Sequence, residues 1–166
     1  EKFSGRKLQY FDPERNETYV PYVVETSIGL DRMFLALFSH CLKNEVLEDG
    51  SERVVLALPP ALAPVKAAIL PLVKKDGLPE LAEKIFNDLK YDFNIISEEK
   101  DSIGKRYRRQ DAIGTPFCIT VDHDSLADGT VTLRERDTMK QERVKIEDLR
   151  KIIDDKVNFR TLLSKI

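Results

Sequence analysis

The sequence predicts an α/β protein: a mixed sheet flanked by helices, preceded by a small strand–helix segment. Three observations carry that expectation. From residue 66 onward, short apolar runs of strand length alternate with stretches whose apolar residues recur at helical spacing, the pattern of helices packed on a sheet. A run with clean polar–apolar alternation follows at residues 130–136, led by Asp128-Gly129, a strong hairpin signal. Ahead of both, residues 19–24 read as a strand that hands over to a helix start at Ser27, a good N-cap.

The elements are expected in the following order. Two short strands, 8–11 and 19–24, are joined by the turn Asp12-Pro13-Glu14-Arg15-Asn16-Glu17, with Tyr22, Val23 and Val24 buried. A helix over 28–43 keeps Ile28, Leu30, Phe34, Leu35, Phe38 and Leu42 close to helical period. Residues 44–51 are acidic, with Asp49-Gly50 at the tip, and read as a loop. Residues 53–58 are strand-like, and Pro59, Pro60 and Pro64 then stiffen an extended connector that reads as the domain boundary. Beyond it come a buried strand at 66–73 and a helix opening on Leu78-Pro79-Glu80, with proline in its first turn. A strand at 93–96, a helix at 102–113 and a strand at 116–121 follow. The alternating strand then turns at Asp137-Thr138 into another at 139–145, and Ile146, Leu149, Ile152 and Ile153 mark a closing helix. The resulting division is 1–50, a linker at 51–61, a unit at 62–157 and a tail at 158–166.

Composition narrows the function classes. Of 166 residues, 42% are hydrophobic, enough for a core, and the formal net charge of −2 excludes nucleic-acid binding by bulk charge. Any contact with RNA must come from a local basic patch. Cys41 and Cys118 lie in apolar surroundings far apart in sequence, the pattern of reduced core thiols in a cytoplasmic protein. Neither a signal peptide nor an apolar run of the ~18 residues a membrane span needs is present. The chain lacks an initiator methionine and opens on Glu1-Lys2-Phe3, so it reads as a C-terminal piece of a longer protein.

Four groups of residues invite a chemical reading. Glu25, Ser27 and Arg32 flank Gly29 where the strand meets the helix; they suit an anion-and-amine site or an ordinary junction with surface charges. Lys105, Arg106, Arg108 and Arg109 fall on one half of a helix opposite Ile103 and Tyr107. Such a face meets RNA phosphates or is simply solvated. Arg134-Glu135-Arg136-Asp137 ends the alternating strand, with Val131, Leu133 and Glu135 on one side and Thr132, Arg134 and Arg136 on the other. A charged strand end protects a sheet edge or serves recognition. Asp122-His123-Asp124 is a poor metal site, because adjacent strand residues point to opposite faces and no second ligand cluster exists; no metal is expected.

The stretch 22–38, valine–glutamate–x–serine followed by glycine–x–x–arginine, resembles the third signature motif of class II aminoacyl-tRNA synthetases, in the form carried by the single-chain-type glycyl-tRNA synthetases. The resemblance extends upstream through Leu8-Gln9-Tyr10-Phe11-Asp12-Pro13 and Val20-Pro21-Tyr22. Downstream it runs through Leu62-Ala63-Pro64-Val65-Lys66, residues 103–109, Gly114-Thr115-Pro116-Phe117 and residues 134–139. Thr26 departs from the proline usual in that family.

The resemblance implies that residues 1–50 end a class II catalytic domain and that 62–157 form an anticodon-binding domain. It implies an enzyme that activates glycine with ATP and Mg²⁺ and transfers it to tRNA(Gly). Glu25 and Ser27 would line the glycine pocket, and Arg32 would clamp the ATP phosphates as a planar bidentate donor. Arg134, Glu135, Arg136 and Asp137 would meet the anticodon, while Lys105 and Arg109 hold RNA backbone. The parent would be a cytoplasmic homodimer without membrane association. The piece itself, lacking the first two signature motifs, would hold no catalytic residue and be inactive alone. The alternative from another class is a non-catalytic, synthetase-like accessory subunit that binds nucleic acid.

Overall fold

The computed structural model of the chain describes residues 1–164; of the expected tail, Lys165 and Ile166 lie outside the described residues. Two compact units emerge, Glu1–Met33 and Phe34–Ile166.

In the first unit, β1 (Tyr10–Asp12) and β2 (Glu17–Tyr19) form an antiparallel ribbon with Tyr10 opposite Tyr19. Their rings meet edge to face at 5.8 Å. Asp12 makes the turn by accepting bonds from the Glu14 and Arg15 amides. The strand expected at 19–24 stops at Tyr19, and Tyr22, Val23 and Val24 are exposed rather than buried. A strand needs an adjacent edge to satisfy its backbone, and among the described residues none lies beside 22–24. The helix α1 (Leu30–Cys41) starts later than expected. Its first bond joins the Met33 amide to the Gly29 carbonyl, so Ser27 lies ahead of the N-cap position.

In the second unit α1 passes directly into β3 (Leu42–Val46), which pairs antiparallel with β4 (Glu52–Leu56). This corrects the loop expected at 44–51 and the linker expected at 51–61. Only Leu47–Ser51 turns, with the Asp49 carboxylate accepting from the Ser51 amide and hydroxyl. Prolines 59, 60 and 64 suggested a boundary, but Leu56 and Leu58 bury themselves with Cys41, and β4 packs along the helix α3 introduced below.

The main sheet has the order β6-β5-β7-β8-β9. Strand β5 (Ala67–Pro71) leads into α2 (Leu78–Leu89), whose proline lies in the first turn as expected. Strand β6 (Ile95–Ser97) is followed by α3 (Ile103–Ile113) and β7 (Phe117–Val121), and the three strands run parallel. A short α4 (His123–Asp128) separates β7 from β8 (Thr130–Glu135), so Asp128-Gly129 ends a helix and not a hairpin. Gly129, at φ 66°, supplies the left-handed residue that either structure requires. Asp122 and Ser125 close α4's first turn as a reciprocal capping box. Strand β9 (Gln141–Lys145) completes the antiparallel half, and a 3₁₀ turn at Ile146–Asp148 opens α5 (Leu149–Val157), with α6 (Phe159–Leu163) after it.

Strand alternation sorts the core into two faces. Ala67, Ile69, Ile119, Val131 and Leu133 pack with Ile85 and Leu89 of α2 and Leu149 and Ile153 of α5. Ala68, Leu70 and Cys118 face Ile103 and Tyr107 of α3. Both cysteines are free and buried.

Candidate nucleic-acid interface

At the end of the sheet where β7 begins and β8 finishes, Phe117 stands opposite Glu135. A cleft of about 420 Å³ opens there. Pro59, Pro60, Ala61 and Pro116 form its apolar walls, and Glu135, Asp137, Thr138 and Lys156 bring polar groups into it. Glu135 reaches this side because it continues the Val131–Leu133 face of its strand, and Lys156 comes from the last turn of α5. The two side chains are ion-paired, and the Thr138 hydroxyl donates to the other Glu135 oxygen at 3.1 Å. The bond from Lys156 is the main cause that holds the Glu135 carboxyl below the usual carboxylate range. The cleft therefore offers, at neutral pH, an ionised acceptor beside a cationic donor, both partly open to solvent.

The neighbouring arginines behave differently from expectation. Arg134 and Arg136, expected to meet an anticodon, are 4% and 1% exposed. Arg134 faces α3 and grips Asp111 with two bonds of 2.8 and 2.9 Å, its guanidinium stacked 4.8 Å above the Tyr107 ring. Burial would lower its pKa, but the Asp111 bonds raise it overall. Arg136 donates to the carbonyls of Gly114 (2.8 Å) and Leu58 (2.7 Å) and clasps Asp137 through Nε and Nη2 at 2.7 and 3.0 Å. Both guanidinium groups are thus buried and engaged within the protein. Asp137 itself remains exposed, held in one orientation.

The basic helix face also needs correction. Arg106 turns inward, 2% exposed, and donates to the carbonyls of Pro71, Leu72 and Glu98. Arg109 is engaged by Glu98, Asp101 and the Lys100 carbonyl, which cancels much of its field. Lys105 is exposed, and among the described residues neither it nor Arg108 makes an ion pair.

Glu25, Ser27 and Arg32 are all exposed in the first unit. In the Asp122-His123-Asp124 run, Asp122 caps α4 and pairs with Arg143 at 2.6 Å, while His123 approaches Asp76 at 3.2 Å. These residues belong to a helix start and not to a strand.

Sequence reasoning missed Asp111, Arg53 and Lys156. Arg53 is 3% exposed on β4 and donates to Asp111 (3.1 Å), to the Arg136 carbonyl (3.0 Å) and to Glu45 (2.7 Å). A signal for Asp111 existed: it lies eight residues after Ile103 and four after Tyr107, on the helix face that those residues bury. An acid on that face demands a buried cation.

The chain thus combines a helix-flanked mixed sheet with a cleft at one sheet end that holds a carboxylate–ammonium pair. The family model described as the anticodon binding domain matches residues 66–156, and the chain belongs to that family. Among individual proteins, the chain is similar to the glycine–tRNA ligase of Clostridium perfringens, 54% identical over 160 residues, covering 94% of this chain and 34% of that protein. With the glycine–tRNA ligase of Chlorobaculum tepidum the identity is 55% over 144 residues, covering 87% and 30%. The chain therefore spans about a third of the length of the curated relatives it matches. The RNA binding domain of threonyl-tRNA synthetase from Cryptosporidium parvum shares the fold, with a TM-score of 0.55, 23% identity and coverage of 60% of this chain and 25% of that one.

Proposed function

We propose that this chain is the anticodon-reading part of a glycine–tRNA ligase and that the Glu135–Lys156 cleft receives an anticodon base. The observation that carries the reading is the paired carboxylate and ammonium in a proline-walled cleft on an anticodon-binding domain. Every glycine anticodon ends in two cytosines. The Watson–Crick edge of cytosine presents an amino donor beside two acceptors, N3 and O2, and single-stranded bases are the usual target of sequence-specific RNA recognition. Glu135 accepts from the amino group and Lys156 donates to an acceptor, so the base exchanges part of the ion pair for itself. Asp137, oriented by Arg136, and Thr138 border the same space. Lys105 contributes a diffuse attraction for phosphate.

In the longer parent, Glu25 and Ser27 would bind glycine, which has no side chain to recognise and must be held by its ammonium. Arg32 would bind the phosphates of ATP. Their exposure suits residues that complete a pocket with parts of a larger protein. ATP and Mg²⁺ would be substrate and ion of that parent; among the described residues no group of three or more His, Cys, Asp or Glu is placed to hold a metal ion. The parent is read as a cytoplasmic homodimer; no helix among the described residues is long and apolar enough to cross a membrane. Similarity to ligases over nearly the whole chain favours this reading over an accessory subunit.

The test is binding of anticodon stem-loops with and without the two cytosines. Glu135→Gln should cost ~1–3 kcal/mol of discrimination between them. Lys105→Ala should instead weaken both alike and flatten the salt dependence. If Glu135→Gln weakened both loops equally, the cleft would not be the reader.

A further inference from the structure

The hairpin β3–β4 lies outside the segment that the anticodon-binding family model covers, yet it grips the end of β8 at two points. Arg53 donates to the carbonyl of Arg136 at 3.0 Å, and the carbonyl of Leu58, just past β4, accepts from Arg136 Nη2 at 2.7 Å. Arg136 in turn holds both oxygens of Asp137. The other end of the Arg53 guanidinium is anchored by Glu45 of β3, at 2.6 Å from Nη2, and Nη1 also meets Asp111 at 3.1 Å. Asp111 already satisfies Arg134, so it does not need Arg53 to avoid an unpaired buried charge.

We infer that Arg53 is a positioning residue for base recognition: the hairpin clamps the Glu135–Asp137 strand end from outside the sheet and sets the cleft's polar groups at their working spacing. The inference rests on the reading of the cleft as the anticodon site. The physical argument is rigidity. Beyond Glu135 the chain leaves the sheet, and its first turn contains Met139 at φ 56°, so regular ladder bonds no longer fix Arg136 and Asp137. What fixes them is the Arg136 amide on the Pro116 carbonyl and the Arg136 guanidinium on the Gly114 carbonyl, together with the two hairpin contacts. A planar, multi-pronged guanidinium bridges three acceptors at once; an ammonium does not. Discrimination between bases depends on acceptors and donors held to a fraction of an ångström.

The test uses this chain and stem-loops carrying either two cytosines or a uracil in place of one. Arg53→Lys keeps the buried charge, and Glu45→Gln, at the solvent-facing end of the bonds, loosens Arg53 without removing it. Arg53→Lys should lower the discrimination ratio about tenfold, mostly by weakening the cytosine loop, and Glu45→Gln should lower it in the same direction by about threefold. The amide resonances of Asp137 and Thr138 should shift in both variants without RNA. Unchanged discrimination with a lowered melting temperature would overturn the inference and leave Arg53 a stability anchor. Unmoved amide resonances at Asp137 and Thr138 would overturn it independently of RNA. A wild-type chain that fails to discriminate while those resonances do shift would instead sink the reading of the cleft.

Discussion

At the scale of single residues, burial decides which charges recognise and which merely hold the fold. Asp111 is fully buried between Arg53 and Arg134, and its two oxygens satisfy both. Replacing it with alanine leaves the buried Arg134 guanidinium without a counter-charge and leaves Arg53 with Glu45 alone. Asp111→Ala should therefore cost ~3–5 kcal/mol in urea unfolding, far more than loss of a surface pair. Cys118 makes a second case. Burial pushes its thiol from 9.0 up to about 12, because the thiolate is not tolerated between Leu70 and α3. A folded-state value above the unfolded one contributes stability that is fully present below pH 9 and is lost as pH rises toward 12. Burial raises Tyr107 as well, in the same direction. Unfolding free energy measured against pH should fall across that window, and Cys118→Ala should flatten the slope; an unaltered slope would place the alkaline transition elsewhere.

At the scale of elements, α3 approaches β4 closely at Gly114. Gly114 ends α3 at φ 88°, and a Cβ there would come within 3.1 Å of the Leu56 carbonyl oxygen. Backbone does not yield as a flexible side chain would. The Gly114 carbonyl is also the acceptor for Arg136, so any shift of this turn reaches the cleft. Gly114→Ala should destabilise by ~1–3 kcal/mol through conformation and crowding together, measured by thermal or urea melts. A melt equal to wild type would mean that β4 moves freely against α3. The hairpin itself illustrates how composition misleads: Lys43 reads as a helix end and Asn44 and Glu45 as loop residues, yet all three lie in a strand of a two-stranded ribbon, where charge is the ordinary composition.

At the scale of the whole molecule, the two units differ in what covers their apolar side chains. Residues 20–29 are exposed throughout, including Val20, Tyr22, Val24 and Ile28, whereas the central strands β5 and β7 of the main sheet are buried along their whole length. Amide exchange should divide accordingly: slow in 67–71, 117–121 and 130–135, measurably protected in 42–46 and 52–56, and near free-peptide rates in 20–29. Exchange in 52–56 as fast as in 20–29 would detach the hairpin from the second unit.

The sequence by itself determined the class of fold, the order of the five sheet strands and of α2, α3 and α5 from residue 66 onward, and the family; α4 and α6 escaped it. These follow from local period and from motifs: apolar residues at helical spacing in α2 and α5, alternation in β8, and the strand–helix patterns that only a few topologies satisfy. It also singled out residues 134–137, of which Glu135, Arg136 and Asp137 line the cleft. Only the tertiary structure decided which of those side chains face solvent. The reason is that a charged residue's role depends on partners far away in sequence. Arg134 is consumed by Asp111, Arg136 by Gly114 and Leu58, and Glu135 is completed by Lys156, at separations that no local period encodes. Extended segments obey the same limit: 20–24 has the composition of a strand, and pairing, which requires a neighbour in space, decides whether it becomes one.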